Sequence, residues 1–183
     1  MTASVRVALL RGINVGRAKR IAMADLRDLV ESLGYERVST ALNSGNVIFS
    51  LGPKSKGDPA FRIERGIMTK LGVSARVTIL TVAELDQMMS ENPLAAIATD
   101  LSRLLAVVPA TPKDFEKLAL LKTENWAPER FALGKGMAYI WCPEGILESR
   151  LASVILGRIF RDCVTTRNWA TMTRLHELAH AQA

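Results

Sequence analysis

The residues with the clearest chemical potential form a positively charged, glycine-containing segment at residues 11–20, directly after an apolar stretch. Gly12 and Gly16 allow the backbone to come close to a ligand, because glycine has no Cβ atom. Cationic side chains beside accessible backbone N–H groups are common partners of phosphate. This segment, called here the basic glycine loop, predicts an anion site with the charged members Arg11, Arg17, Lys19 and Arg20.

The basic glycine loop does not match the two best-known phosphate-binding motifs. It has the spacing G-x-x-x-G without the Lys-Ser or Lys-Thr of a Walker loop, and it is not G-x-G-x-x-G. Two interpretations therefore stay open: a phosphate site, or a strand-to-helix connection whose charges are solvated. Two roles are likewise open for Asn14: its side chain forms a hydrogen bond to the same ligand, or the residue serves only as a left-handed turn residue.

A second polar cluster, Asn43-Ser44-Gly45-Asn46, is first of all a tight turn between two strand-forming segments. In a plait, the loop after the first strand and the turn joining the second and third strands lie at one end of the sheet. Asn43, Ser44 and Asn46 would then add hydrogen bonds to a ligand of the basic glycine loop. This predicted neighbourhood is the only reason to assign them a binding role.

Residues 165–169, Thr-Thr-Arg-Asn-Trp, form the densest polar and aromatic string in the chain. Thr166 or Asn168 can cap the last helix, and Trp169 can anchor that helix to the core. Arg167 has no such structural explanation and is expected to bind an anion or a buried carboxylate. Arg167 and Asn168 are therefore included among the candidate ligand-binding residues.

His176-Glu177-Leu178-Ala179-His180 matches H-E-x-x-H, which on a helix places two imidazoles one turn apart for zinc. Hydrolases of that class take a third ligand from downstream residues, and only Ala181, Gln182 and Ala183 follow here. The pair also borders an apolar helical stripe, where polar residues are normal. We therefore expect a coincidental match and no metal site.

The sequence contains no local signal of catalysis. No Ser-His-Asp or Cys-His arrangement suggests a nucleophile, because both histidines belong to one helical turn, and paired carboxylates at a suggestive spacing are missing. Catalytic residues are therefore not assigned, no cofactor is expected, and whether the protein is an enzyme stays open.

Hydrophobic periodicity predicts that the order β-α-β-β-α-β-α occurs twice, and it includes Leu147 in the second helix of the second copy. Residue type and spacing predict helix starts at Asp58-Pro59, at Thr111-Pro112 and at a capping box of Thr81 and Glu84. Each copy contains the split β-α-β arrangement of a ferredoxin-like plait, βαββαβ, plus one extra helix. We expect an α+β fold in which two plait-type halves pack as one compact two-lobed unit. The predicted halves are residues 1–91, which carry the basic glycine loop, and 103–183, with a connector at 92–102.

Composition restricts the class of partner. Hydrophobic residues make up 49% of the chain and charged residues 23%, which is typical of a globular protein with a sizeable core. The net charge of +6 favours a polyanionic partner. Cys142 and Cys163 form no C-x-x-C pair, which indicates reduced thiols and a cytoplasmic location. No leader and no membrane partner are predicted, and the oligomeric state is not indicated.

Four stretches resemble a known bacterial family, the domain of unknown function 1697 proteins: residues 8–16, 43–49, 143–151 and 165–171. They span nearly the whole chain in order, so the resemblance is specific. It implies a mixed α/β, plait-like fold, and it brings no established activity. The motif residues that it implies are Arg11, Gly12, Asn14, Gly16, Ser44, Gly45, Asn46, Ser149, Thr166, Arg167, Asn168 and Trp169.

The chain departs from the family pattern at two positions. Gly16 is followed by Arg17, where a second glycine is usual, and this change adds charge and reduces backbone freedom. Ala170 replaces the usual asparagine after the tryptophan, which removes any ligand role for that position. The two histidines of H-E-x-x-H do not belong to the family pattern.

These observations favour a non-catalytic protein that binds a phosphate-bearing ligand, with nucleic acid as the leading partner. Binding would be mainly to the nucleic-acid backbone, because the first strand has no aromatic residue and the third has only Phe49. The alternative is a small-molecule enzyme or sensor with an anion-binding pocket between the two lobes. A third interpretation is a structural or interaction domain whose motifs serve folding.

Overall fold

The computed structural model describes residues 4–14, 20–53 and 55–183. The chain divides into two compact units: the first unit is Met1–Leu85 with Arg174–Ala183, and the second unit is Asp86–Thr173. Its elements occur as two successive β-α-β-β-α-β-α sets, each with a four-stranded antiparallel sheet. The predicted α+β fold with a twice-used plait order is confirmed.

The first set of elements forms a sheet with the strand order β2-β3-β1-β4. Helix α2 continues directly into a π-helical turn at Ile67–Leu71. The bounds are β1 (Ser4–Arg11), α1 (Met23–Ser32), β2 (Glu36–Ala41), β3 (Asn46–Leu51), α2 (Pro59–Gly66), β4 (Arg76–Thr81) and α3 (Val82–Ser90).

The second set repeats this topology with the strand order β6-β7-β5-β8. A 3-10 turn at Leu120–Thr123 extends its first helix. The bounds are β5 (Leu104–Pro109), α4 (Pro112–Ala119), β6 (Arg130–Leu133), β7 (Ala138–Trp141), α5 (Arg150–Leu156), β8 (Val164–Asn168) and α6 (Trp169–Gln182).

Local sequence signals explain where several helices begin. The Asp58 carboxylate accepts a hydrogen bond from Ala60 N (3.0 Å) at the start of α2. Thr81 and Glu84 form the reciprocal bonds of a capping box, with Glu84 N donating to Thr81 Oγ1 (3.1 Å) and Thr81 N donating to Glu84 Oε2 (2.7 Å). Asn168 Oδ1 accepts from Thr171 N (2.9 Å) at the start of α6. The first two of these helix starts were predicted from residue type and spacing, and Asn168 was one of the two residues expected to cap α6.

Each unit has its own apolar core. In the first unit Val47, Ile48 and Phe49 are fully buried on successive positions of β3, so both faces of that strand are covered. The end of α6 contributes to this cover, because Gln182 Nε2 donates to Arg37 O (2.7 Å) and to Ser50 Oγ on β3 (3.4 Å). The chain therefore returns to its first unit through its last helix.

The start of α5 differs from the expectation that Leu147 marks that helix. Leu147 is 94% exposed and α5 begins at Arg150, so this prediction was wrong. The Glu129 carboxylate fixes the start of the helix by accepting hydrogen bonds from Ser149 Oγ, Arg150 N and Leu151 N at 2.8–2.9 Å. A partner twenty residues away in sequence is invisible to helical periodicity.

Among the helices described within residues 4–14, 20–53 and 55–183, none is sufficiently long and apolar to cross a membrane.

Candidate anion-binding site

The end of β1 lies directly beside the first hairpin, as the plait topology predicts. Leu10 N donates a hydrogen bond to Gly45 O (2.8 Å), and Leu9 stands opposite Asn46 in the antiparallel register. The described start of the basic glycine loop and the hairpin tip therefore occupy one end of the first unit's sheet. Gly16, Arg17 and Lys19, which the sequence assigned to the same site, lie outside the described residues.

Ile13 fastens the basic glycine loop to the hairpin by packing against a glycine. Gly45 has φ +75°, and a Cβ atom there would lie 2.6 Å from Ile13 Cδ1 and 3.0 Å from Leu10 Cβ. Ile13 is itself only 6% exposed. Gly45 is therefore required both for the left-handed turn and for the close approach of the loop.

Both ends of the Asn14 side chain form hydrogen bonds. Its Nδ2 donates to Asn43 O (3.2 Å), and its Oδ1 accepts from Ile21 N (2.9 Å). The backbone φ of 55° makes Asn14 a left-handed turn residue. Of the two roles predicted for Asn14, the turn role agrees with this geometry, and these contacts join Asn14 to the hairpin and to Ile21.

The hairpin residues divide into one buried and two exposed side chains. Asn46 is fully buried, and its Nδ2 donates to Ala41 O and to Ser44 Oγ, both at 2.9 Å. Asn46 therefore stabilises the turn from within. Asn43 and Ser44 are exposed at the tip, where a bound anion can reach them.

A feature that the sequence did not predict is a pair of facing arginines at this end of the sheet. Arg11 closes β1, Arg76 opens β4, and the two are direct partners in the antiparallel register. Arg76 Nη1 lies 3.5 Å from Glu64 Oε2, while the Arg76 side chain stays 70% exposed. Like charges directly opposite each other in a sheet are destabilising. The register therefore brings two cationic residues to the same end of the sheet.

The remaining described parts of the loop add charge and backbone access. Arg20 is exposed and Arg11 is half-buried. Gly12 has φ +84°. A Cβ atom at this position would lie 3.4 Å from the backbone oxygen of Ser74. Helix α1 begins after Ala22 without a side-chain cap from any residue that the structure describes. The arrangement can hold an anion with cationic side chains and backbone donors.

Arg167 and Asn168, the other two predicted site residues, lie on β8 in the second unit. Arg167 Nη1 donates to Thr166 O (2.9 Å), and desolvation by burial lowers the pKa of Arg167 to about 10. The guanidinium therefore remains charged at neutral pH while largely removed from water. Asn168 has the structural role predicted as one of its alternatives, since it caps α6.

Neither the Cys142 thiol nor one hollow in the second unit has the features expected of a catalytic centre. Burial raises the pKa of the Cys142 thiol, which makes it a poor nucleophile. A hollow of about 160 Å³ beside Trp126 and Arg130 is smaller than the roughly 300–1,000 Å³ of typical ligand pockets. Glu129 also lines this hollow, and its carboxylate accepts a hydrogen bond from Leu151 N at the start of α5.

Comparisons with known proteins identify the fold and the family of the chain. The structure is similar to that of the conserved bacterial protein SP0830 from Streptococcus pneumoniae, with a TM-score of 0.78 and 23% sequence identity over 96% of this chain and 98% of that chain. That similarity concerns the fold. No curated protein matches the chain. The family model described as "Protein of unknown function (DUF1697)" matches residues 3–139, and the chain therefore belongs to the DUF1697 family.

Proposed function

We propose that the basic end of the first unit's sheet binds a phosphate-bearing ligand, and that its partner is nucleic acid held through the sugar-phosphate backbone. The basic end is defined by Arg11, Arg20, Arg76, Gly12 and the hairpin tip at Asn43 and Ser44. The observation that carries the proposal is the direct opposition of Arg11 and Arg76 where β1 and β4 meet the loop.

Charge complementarity is the first step of the argument. Two guanidinium groups at directly opposed positions of adjacent strands repel each other, and the Arg76 side chain stays 70% exposed although its Nη1 lies 3.5 Å from Glu64 Oε2. A phosphate group bound across them would exchange this repulsion for charge-assisted hydrogen bonds, which are stronger than those between neutral groups. The chain's net charge of +6 would assist long-range attraction to the same polyanion.

Loop geometry is the second step. Gly12 and the exposed tip residues Asn43 and Ser44 bring backbone and short polar groups to the same sheet end as the arginines. Ile13 packs against Gly45 and Asn14 forms hydrogen bonds to Asn43 O and Ile21 N, so binding would not have to order the hairpin. Preorganisation of this kind lowers the entropy cost of binding.

The mode of nucleic-acid contact follows from where the aromatic residues lie. Proteins that read RNA bases on a plait stack them on exposed aromatics of the sheet. Here Phe49, on β3, is fully buried and packs against Tyr35 with ring centroids 4.6 Å apart. We therefore propose contact with phosphates rather than base stacking on the strands.

The test is fluorescence anisotropy with a labelled oligonucleotide of mixed sequence, single-stranded and duplex, at about 50 and 200 mM sodium chloride. About three phosphate contacts predict a loss of affinity of roughly 20- to 40-fold across this salt range. Arg11→Gln and Arg76→Gln should each weaken binding about tenfold and make it less salt-dependent. Arg11→Lys, which keeps the charge, should retain most of the affinity.

Lys135→Gln is the matched control, because Lys135 is an exposed cation at the corresponding hairpin of the second unit. It removes the same charge and should leave affinity within about twofold. Thermal unfolding of every variant checks that the fold is retained. No binding at the lower salt concentration, or equal losses in Lys135→Gln and the arginine variants, would contradict the proposal.

A further inference from the structure

Helix α6 carries the two histidines of the H-E-x-x-H match, for which the sequence predicted no metal site and which the proposed anion site does not use. His176 and His180 are one helical turn apart, with ring centroids 4.5 Å apart and ring planes at 65°. Their ligand nitrogens lie within 4.8 Å of each other. His176 is half-buried and His180 is exposed. Both imidazoles can therefore approach one ion after small side-chain rotations.

We infer that His176 and His180 together bind a divalent late first-row transition metal ion, of the class of Cu²⁺, Ni²⁺ and Zn²⁺. Neutral imidazole is a preferred ligand of these ions, whereas Mg²⁺ and Ca²⁺ prefer oxygen ligands. Two imidazoles supply two coordination positions, and water or further donors fill the others. The site is independent of the proposed anion site.

The environment of the pair favours a cation and holds the ligands in place. His180 lies in the last turn of α6, where the partial negative charge of a helix C-terminus stabilises positive charge. The helix end is tied down within the first unit, because Arg37 Nη1 donates to Gln182 O (2.6 Å) and Gln182 Nε2 donates to Arg37 O (2.7 Å). An ion would therefore meet a turn of helix that is already ordered.

The inferred site is not that of an H-E-x-x-H hydrolase. In those enzymes the glutamate between the histidines acts as the general base. Here Glu177 Oε2 accepts from Arg174 Nη1 at 3.0 Å, and the Glu177 side chain is 57% exposed. The geometry thus supports metal binding by the imidazoles, with Glu177 paired on the helix surface.

The test uses the full chain, stripped of metal with a chelator that is then removed, and titrated with CuCl₂, NiCl₂, ZnCl₂ or MgCl₂ in competition with a chromophoric chelator. We expect one Cu²⁺, Ni²⁺ or Zn²⁺ ion per chain, with Cu²⁺ bound most tightly, and no competition from Mg²⁺. His176→Gln and His180→Gln should each lower the affinity at least tenfold. Glu177→Gln is the matched control and should change it less than twofold.

Two further measurements keep the inference testable if a histidine variant unfolds. The electron paramagnetic resonance spectrum of the Cu²⁺ form should show coupling to two imidazole nitrogens, and saturating Zn²⁺ should raise the melting temperature of the wild-type protein. The inference is overturned by wild-type affinity in folded histidine variants, by binding no tighter than that of Mg²⁺, or by a Cu²⁺ spectrum without two nitrogen ligands.

Discussion

The two units have the same strand order but differ at one end of the sheet. In the first unit, β1 ends at Arg11 opposite Arg76, and residues 12–22 lead to α1. In the second unit, β5 ends at Pro109 opposite Val164, and only Ala110 and Thr111 lead to α4. The topology therefore requires neither a long connection nor charge at this place.

The two units also differ in how the helix after this connection begins. Thr111 caps α4 by accepting from Asp114 N (3.2 Å), and Lys117 Nζ lies 2.8 Å from Asp114 Oδ1, so that connection satisfies its own polar groups. Helix α1 follows Ala22, which has no hydroxyl or carboxylate to accept such a bond. The second unit thus forms the same topology with a short, self-capped connection, which is the reason to look for a ligand at the longer, basic connection of the first unit.

The largest predicted effect compares the hairpin glycines of the two units. Gly45→Ala should lower the free energy of unfolding by about 2–4 kcal/mol, because it adds left-handed strain and a clash with Ile13. Gly136→Ala, also at positive φ but with no atom within 4 Å of its added Cβ, should lose only about 1–2 kcal/mol. Urea unfolding measures both. Equal losses would mean that the loop is not fastened through Gly45.

A smaller effect tests the capped connection of the second unit. The hydrogen bond from Lys117, followed by that from Thr111, lowers the pKa of Asp114 from 3.8 to about 2. The unfolded chain then binds a proton at higher pH than the folded chain does. The contribution is therefore present above the unfolded pKa of 3.8 and is lost as the pH falls to about 2.

The expected loss is on the order of 1 kcal/mol, allowing for screening by solvent. Asp114→Asn should abolish this part of the pH dependence in urea unfolding followed from pH 5 to pH 2. An unchanged slope in the variant would assign the acid sensitivity to other carboxylates.

The smallest predicted effect is a gain of stability in the first unit. Ala22 has φ −67° and ψ 139°, the extended conformation of a normal N-cap residue. Ala22→Ser should therefore supply the missing cap and raise the free energy of unfolding by about 0.5–1 kcal/mol. Thr111→Ala, the reverse change in the second unit, should lose a similar amount. A neutral Ala22→Ser would indicate that another group already satisfies the start of α1.

The sequence predicted those features that depend on neighbours along the chain. The caps at Asp58 and Thr111 and the capping box of Thr81 and Glu84 follow from residue type at fixed offsets. The spacing of apolar residues likewise predicted the order of the elements, because the buried faces of strands and helices impose different repeats on the sequence.

Contacts between distant residues could not be predicted in this way. The opposition of Arg11 and Arg76 depends on the register between strands far apart in sequence, and the bonds from Glu129 to the start of α5 depend on tertiary packing. Arg37, with φ 49° at a bulge in β2, joins the end of α6 for the same reason. A single sequence does not encode these pairings in any local pattern.

The most direct measurement is a two-dimensional ¹⁵N–¹H spectrum of the labelled protein titrated with an unlabelled oligonucleotide at low salt. The account predicts that amide signals of Gly12, Asn43 and Ser44 shift in proportion to binding, while those of Thr111 and Lys135 in the second unit stay in place. Shifts centred on the second unit's connection and hairpin, or no shifts at the first unit's sheet end at saturating oligonucleotide, would contradict it.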